Sequence, residues 1–112
     1  MDAEQLVVLC TCPDAETARR LASEVVDRRL AACVNIVPGL TSVFYWEGGV
    51  QSESETLLVI KTTAAAYGAL EARLVECHPY ELPEVIAVPI VRGLPGFLEW
   101  IGEETRHRAS EE

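Results

Sequence analysis

Two long β-forming runs joined by a pair of glycines occupy residues 31–62 and restrict the folds open to this chain. The first run ends in TSVFYW at residues 41–46, which is rich in β-branched and aromatic side chains, and the second covers residues 50–62. Glycine adopts a positive φ at little cost, so Gly48-Gly49 is typical of a tight reversal between two strands. The segment therefore predicts a long β-hairpin.

The length of this hairpin predicts that its tip projects from the rest of the molecule. Placing the two glycines at the turn puts Trp46 opposite Gln51 and Ile36 opposite Lys61, so each arm exceeds ten residues. Pro38 interrupts the first arm and predicts a bulge or bend there. An arm of about twelve residues spans about 40 Å, whereas a compact domain of this size has a radius of gyration of about 13 Å. The alternative is a hairpin that curls back over its own core.

The expected tip carries Phe44, Tyr45 and Trp46. An exposed edge strand with aromatic side chains tends to pair with other chains unless something covers it. We therefore expect a closed homo-oligomer joined through these strands.

Composition limits the class of protein. The 112 residues, 49% of them hydrophobic, predict one domain at 1–112 with a genuine core. Apolar runs are far shorter than the roughly 20 residues of a membrane span, and the acidic N-terminus argues against a signal peptide. The net charge of −9 disfavours nucleic acid as a partner. We expect a soluble cytoplasmic protein with neither membrane nor nucleic-acid partners.

Proline, threonine and acidic signals divide the rest of the chain into elements. We expect a central strand at 5–11, a helix at 13–30, a helix capped at 62–63 and stopped by Pro79, a strand at 85–90 with Pro89 at an edge or bulge, a short helix from 95, and a fraying charged tail at 106–112. This order predicts an α+β, ferredoxin-like split βαβ fold, with an antiparallel four-stranded sheet and both main helices on one face. Such a fold hosts many unrelated activities, so it does not give function.

Cysteine and histidine residues offer one possible chemistry. Cys10 and Cys12 share a face of the first strand, and Cys77-His78 lies at a helix end. Thiolate and imidazole ligands suit copper or zinc, although the spacing matches no zinc-finger pattern. The alternative is a buried thiol at Cys10 and a loop histidine that bonds to backbone.

A polar pocket between subunits is a second possibility, and it would use Trp46, Lys61, Tyr80, Glu81 and Glu84. The alternative for the carboxylates is a solvated surface on an acidic protein. Motifs for nucleophilic catalysis are missing from the sequence, and the loop at 11–14 lacks the arginine of an acylphosphatase-like anion cradle. We therefore do not expect an enzyme.

Several segments together resemble the CutA divalent-cation-tolerance family over about residues 5–104. They are VLCT at 8–11, LAACVNI at 30–36, YWEG at 45–48, IKTT at 60–63, and HPYE at 78–81 followed by Pro83-Glu84. The resemblance implies a ferredoxin-like fold assembled as a tight homotrimer through its long strands. It also implies a cytoplasmic protein linked to tolerance of copper and other divalent metals, without an established catalytic activity.

The resemblance also implies a copper site. Copper-binding members use a cysteine matching Cys10 and two histidines before the proline; here His78 matches the second, and Cys77 replaces the first. The implied set Cys10, Cys77 and His78 is softer and better suited to Cu(I). We expect a trimer that buffers or senses copper or related ions. The main alternative is a signalling or adaptor trimer whose inter-subunit clefts bind a small molecule or partner, with metal incidental.

Overall fold

The computed structural model describes residues 4–105, so the expectations for the first three residues and for the tail at 106–112 lie outside the described part. The elements in chain order are β1 Gln5–Cys12, α1 Ala15–Asp27, β2 Cys33–Trp46, β3 Gly49–Thr63, α2 Ala64–Cys77, β4 Ile86–Pro89 and α3 Pro95–Thr105. Within residues 4–105, no helix has the length and apolar character needed to cross a bilayer.

The four strands form one antiparallel sheet in the order β2-β3-β1-β4. This order, with α1 following β1 and α2 following β3, confirms the α+β ferredoxin-like arrangement. β1 lies in the interior of the sheet, and within residues 4–105 β4 pairs with β1 alone. Pro89 therefore lies on an edge strand, where the lack of a backbone N–H donor is tolerated.

The core lies between one face of the sheet and the helices α1 and α2. Alternate residues of β1 and β3 point to this side, because successive side chains of a strand face opposite ways. The largest side chains fully buried there are Val8, Leu21, Val25, Leu58, Ile60, Leu70 and Leu74. The other face of β1, with Val7 and Leu9, is half-buried in the single chain.

Side-chain caps begin both main helices. The Thr17 backbone N–H donates to Asp14 Oδ1 at 2.7 Å, and Thr63 Oγ1 accepts from the first turn of α2. The predicted end of α1 near residue 30 is wrong by about one turn. The helix ends at Asp27, because Arg29 adopts a φ of 59°, outside the helical region.

The hairpin is as long as predicted, with 14 residues in β2 and 15 in β3, but its turn is displaced. Trp46 pairs with Gly49, so Glu47 and Gly48 form the two-residue turn, with φ of 50° and 82°. A two-residue turn with positive φ at both positions has a backbone twist that matches the twist of the flanking strands. The predicted turn at Gly48-Gly49, with Trp46 opposite Gln51, is therefore wrong.

Lower in the hairpin, the predicted bulge is confirmed. The register shifts between Val37 and Leu40, where β2 contains one extra residue, and Gly39 takes a φ of 83°. The displaced turn and this bulge together make Ile36 pair with Leu58 rather than Lys61.

The tip of the hairpin projects as expected. Val43 is 68% exposed, Tyr45 is 72% exposed and Trp46 is 54% exposed. The described chain measures 45 × 31 × 22 Å. The alternative of a hairpin curled over its own core is therefore wrong.

Candidate metal centre

Three possible metal-ligand side chains meet where the end of β1 lies beside the C-terminus of α2. The sulfur atoms of Cys10 and Cys12 and a ring nitrogen of His78 all lie within 4.8 Å of one another, and all three residues are buried. Strand alternation brings the two thiols to the helix-facing side of β1. His78 follows the last residue of α2 and is extended (φ −77°, ψ 140°), because the proline after it disfavours helical backbone.

Backbone hydrogen bonds fix the orientation of the His78 ring. Nε2 lies 2.8 Å from the carbonyl oxygen of Thr11, and the Tyr80 backbone N–H donates to Nδ1 at 3.1 Å. Since Nδ1 accepts, Nε2 is the nitrogen that carries the proton and donates to Thr11. Both ring nitrogens thus have backbone partners. This arrangement also agrees with the alternative interpretation of His78 as a loop histidine that bonds to backbone.

The two thiols differ in acidity because they interact with each other. The hydrogen bond between them raises the pKa of Cys10 and lowers the pKa of Cys12. Burial raises the pKa of Cys10 further, and the negative charges of Glu84 and Glu55 act in the same direction. Cys12 is therefore the more acidic of the two thiols.

This donor set fits a soft metal ion. Thiolate and imidazole are the ligands preferred by Cu(I) and Zn²⁺. Metal–sulfur bonds of about 2.3 Å place two sulfurs no more than about 4.6 Å apart. The sulfur atoms of Cys10 and Cys12 lie within 4.8 Å of each other, which is close to this limit.

Cys10 and His78, two of the residues expected from sequence, are therefore brought together. Cys12 completes the group and was not in the expected ligand set, although its two-residue spacing from Cys10 was the signal for it. Cys77 is not part of the group within residues 4–105: its half-buried side chain packs against the core, and its carbonyl accepts from Arg20 Nη1 at 3.5 Å. Its role as a ligand stays a prediction.

A polar cluster adjoins the three donors. Glu55 accepts hydrogen bonds from the Tyr80 hydroxyl at 2.7 Å and from Ser42 Oγ at 2.5 Å, and so links β2, β3 and the segment after α2. Burial and the bond to Glu55 raise the pKa of Tyr80. The rings of Tyr80 and His78 lie 4.8 Å apart between centroids. The hairpin and the histidine are therefore connected through a single tyrosine.

The other residues of the expected inter-subunit cleft are spread over the chain. Trp46 lies at the hairpin tip, whereas Lys61 lies near the other end of β3, where Nζ donates to Asn35 Oδ1. Residues 49 to 61 separate them along β3, which corresponds to about 40 Å. Glu81 and Glu84 are exposed in the segment before β4. One chain does not bring Trp46 and Lys61 together, and the cleft stays a prediction.

Comparison with known proteins gives a consistent result. The family model described as CutA1 divalent ion tolerance protein matches residues 6–104. The divalent-cation tolerance protein CutA of Thermus thermophilus is 50% identical over 99 residues, which are 88% of this chain and 96% of that protein. The chloroplastic CutA 1 of Oryza sativa is 48% identical over 101 residues, 90% of this chain and 57% of that longer protein.

The fold agrees with the sequence matches. The solved structure of the Thermus thermophilus divalent cation tolerance protein superposes with a TM-score of 0.88 at 48% identity, covering 90% of this chain and 98% of that one. The family model's match runs from β1 into α3 and includes the donors at residues 10, 12 and 78. This chain therefore belongs to the CutA divalent-cation-tolerance family.

Proposed function

We propose that this protein is a cytoplasmic homotrimer that binds copper or a related metal ion as part of divalent-cation tolerance. The observation that carries the proposal is the convergence of Cys10, Cys12 and His78, all buried, within 4.8 Å. Soft donors gathered in one place bind soft metals well, and the family is named for tolerance of divalent ions.

The proposed role is buffering or sensing rather than catalysis. Catalytic metal sites keep a coordination position open to substrate, whereas enclosed sites retain their ion. The three donors lie beneath the helices, on the buried face of the sheet. A bound ion there would be shielded from solvent, which suits storage or the detection of a concentration change.

The homotrimer is supported by two free sheet edges. In the described part of the chain, β2 pairs only with β3 and β4 only with β1, so each presents an unpaired edge, and Val43 of β2 and Val88 of β4 are exposed. Two different edges that join head to tail form a ring when the rotation between copies closes, and the family resemblance supplies the number three. Native mass spectrometry tests this directly. A mass of three 12.3 kDa chains is expected, and a monomer would contradict the proposal.

Metal binding is tested by competition titration of Cu(I) and Cu(II) against chelators of known affinity. Cys10→Ser is expected to abolish tight binding and leave the oligomer intact. Cys33→Ser is the matched control, because Cys33 is a half-buried thiol outside the three-donor group. Weak binding that Cys10→Ser leaves unchanged would contradict the proposal. A parallel Cys77→Ser variant tests the prediction that Cys77 also contributes a ligand.

Localisation is tested by cell fractionation. A relative from Oryza sativa is named chloroplastic, so members of the family occupy more than one compartment. The proposed location of this chain is the cytoplasm, and recovery in a membrane or extracytoplasmic fraction would contradict it.

A further inference from the structure

We propose that Cys10 and Cys12 alone are the metal ligands, that they bind a monovalent, thiophilic ion such as Cu(I), and that His78 is a positioning residue. This inference rests on the proposed metal-binding function and names the ion and the ligands of the same site.

The first step concerns the direction of the His78 lone pair. The ring nitrogen directed at β1 is Nε2, and it donates its proton to the carbonyl of Thr11, the residue between the two cysteines. The nitrogen with the free electron pair is Nδ1, and it accepts the backbone N–H of Tyr80. A metal ligand must offer a lone pair, and the lone pair of this imidazole is directed at Tyr80, whereas the proton is directed at the strand that carries the thiols.

The second step concerns the number of ligands. Zn²⁺ takes four ligands in structural sites and three protein ligands in catalytic ones. Within residues 4–105, only three possible donors converge here, and His78 is already bonded at both nitrogens. Two thiolates suit an ion that is satisfied by few, soft ligands, which describes Cu(I) and Ag(I) and not Zn²⁺ or Cu(II).

The third step is the balance of the binding reaction. Two metal–sulfur bonds form, the two thiols lose their protons to solvent, and the ion keeps its oxidation state, so no oxidant or reductant is needed. The pair with its ion then carries one net negative charge. The Nε2–H of His78 holds the peptide between the two ligands in place through Thr11 and so fixes the relative position of the sulfurs.

The test compares variants at positions 12 and 78 by Cu(I) competition titration under reducing conditions, with Ag(I) as a redox-inert second probe. Cys12→Ser removes a ligand and is expected to lower the Cu(I) affinity by more than about a hundredfold, beyond the roughly 10- to 100-fold that loss of an outer-shell partner costs. His78→Gln keeps a side-chain N–H able to reach Thr11, so the affinity is expected to stay within about tenfold of the wild type. Cys33→Ser is the unchanged control.

X-ray absorption of the Cu(I)-loaded wild type provides a second measurement that needs no variant to fold. Two sulfur neighbours per copper without an imidazole signal are expected. An imidazole signal, or a loss in His78→Gln as large as that in Cys12→Ser, would overturn the dithiolate assignment and leave the proposed metal-binding function standing. Full affinity in Cys12→Ser would also overturn it. Failure of the wild type to bind Cu(I) would overturn the inference as well, and failure to bind both Cu(I) and Cu(II) would remove the proposed function itself.

Discussion

Replacement of Tyr80 by phenylalanine tests the connection between the hairpin and the segment beside the metal centre. The Tyr80 hydroxyl donates to Glu55 Oε2 at 2.7 Å, while Ser42 donates to the other carboxylate oxygen. The substitution removes only this hydroxyl and leaves the ring against His78, where the centroids lie 4.8 Å apart. Any change in stability therefore reports on one hydrogen bond.

The expected loss follows from the charge and exposure of the acceptor. A hydrogen bond to a charged group contributes about 1.5–3 kcal/mol. Glu55 is half-buried and keeps its bond from Ser42, so water can replace part of what Tyr80 supplied. We expect Tyr80→Phe to lower the free energy of unfolding by about 1.5 kcal/mol, the lower end of that range.

Urea unfolding at a fixed protein concentration measures this loss, since the stability of the proposed oligomer would depend on concentration. Tyr45→Phe is the matched control, because Tyr45 is 72% exposed at the hairpin tip. A surface change of this kind is expected to stay within about 0.5 kcal/mol. Equal stability of the two variants would refute the reasoning.

The same bond predicts an alkaline effect. Burial and Glu55 raise the pKa of Tyr80 above its ordinary value of 10.0, so the folded protein holds this proton more tightly than the unfolded chain does. The resulting stabilisation is complete below pH 10.0 and is lost as the pH rises toward the folded pKa. Tyr80→Phe should therefore reduce the loss of unfolding free energy at alkaline pH. The same dependence of unfolding free energy on pH in Tyr80→Phe and the wild type would contradict this prediction.

Three further predictions concern single positions. Thr62→Val leaves the Leu30 carbonyl without the buried hydroxyl that donates to it at 2.6 Å, so unfolding free energy should fall by about 1–2 kcal/mol in urea titration. Glu47→Asn should raise the thermal midpoint, because asparagine tolerates the φ of 50° in the turn better than glutamate does. Hydrogen bonds from Arg73 and then Arg28 lower the pKa of Glu24. The stability linked to Glu24 is thus present above pH 4.5 and lost as the pH falls further, and Glu24→Gln should weaken this acid dependence in thermal melts.

The sequence predicts the long hairpin and its bulge well, because proline and β-forming runs act locally. The register of the tip is not predictable in the same way. Two adjacent glycines permit turns in neighbouring positions, and a one-residue change in the turn shifts every cross-strand pair. The turn that forms uses Glu47 at a positive φ, and glutamate carries no signal for that conformation.

The metal centre is predictable in part for a similar reason. The spacing of Cys10 and Cys12 shows that they share a face, since strand alternation is a local property. Their proximity to His78 depends on how α2 lies over β1. Thr11, between the two cysteines, and His78 are 67 residues apart along the chain. Cys77 looks equivalent to His78 in the sequence, but it is the last residue of the helix and His78 is already extended, so the two side chains diverge.

The expected cleft depends on the proposed assembly, whereas the candidate metal centre does not. Trp46 and Lys61 lie about 40 Å apart along β3, so a pocket that uses both must take them from different copies of the chain. Cys10, Cys12 and His78 belong to one copy and are held there by its own β1 and α2. Conditions that separate the copies without unfolding them should therefore abolish binding of any molecule in the cleft and preserve binding of the metal. Metal binding that is lost together with assembly would instead place a metal-coordinating residue on a neighbouring copy.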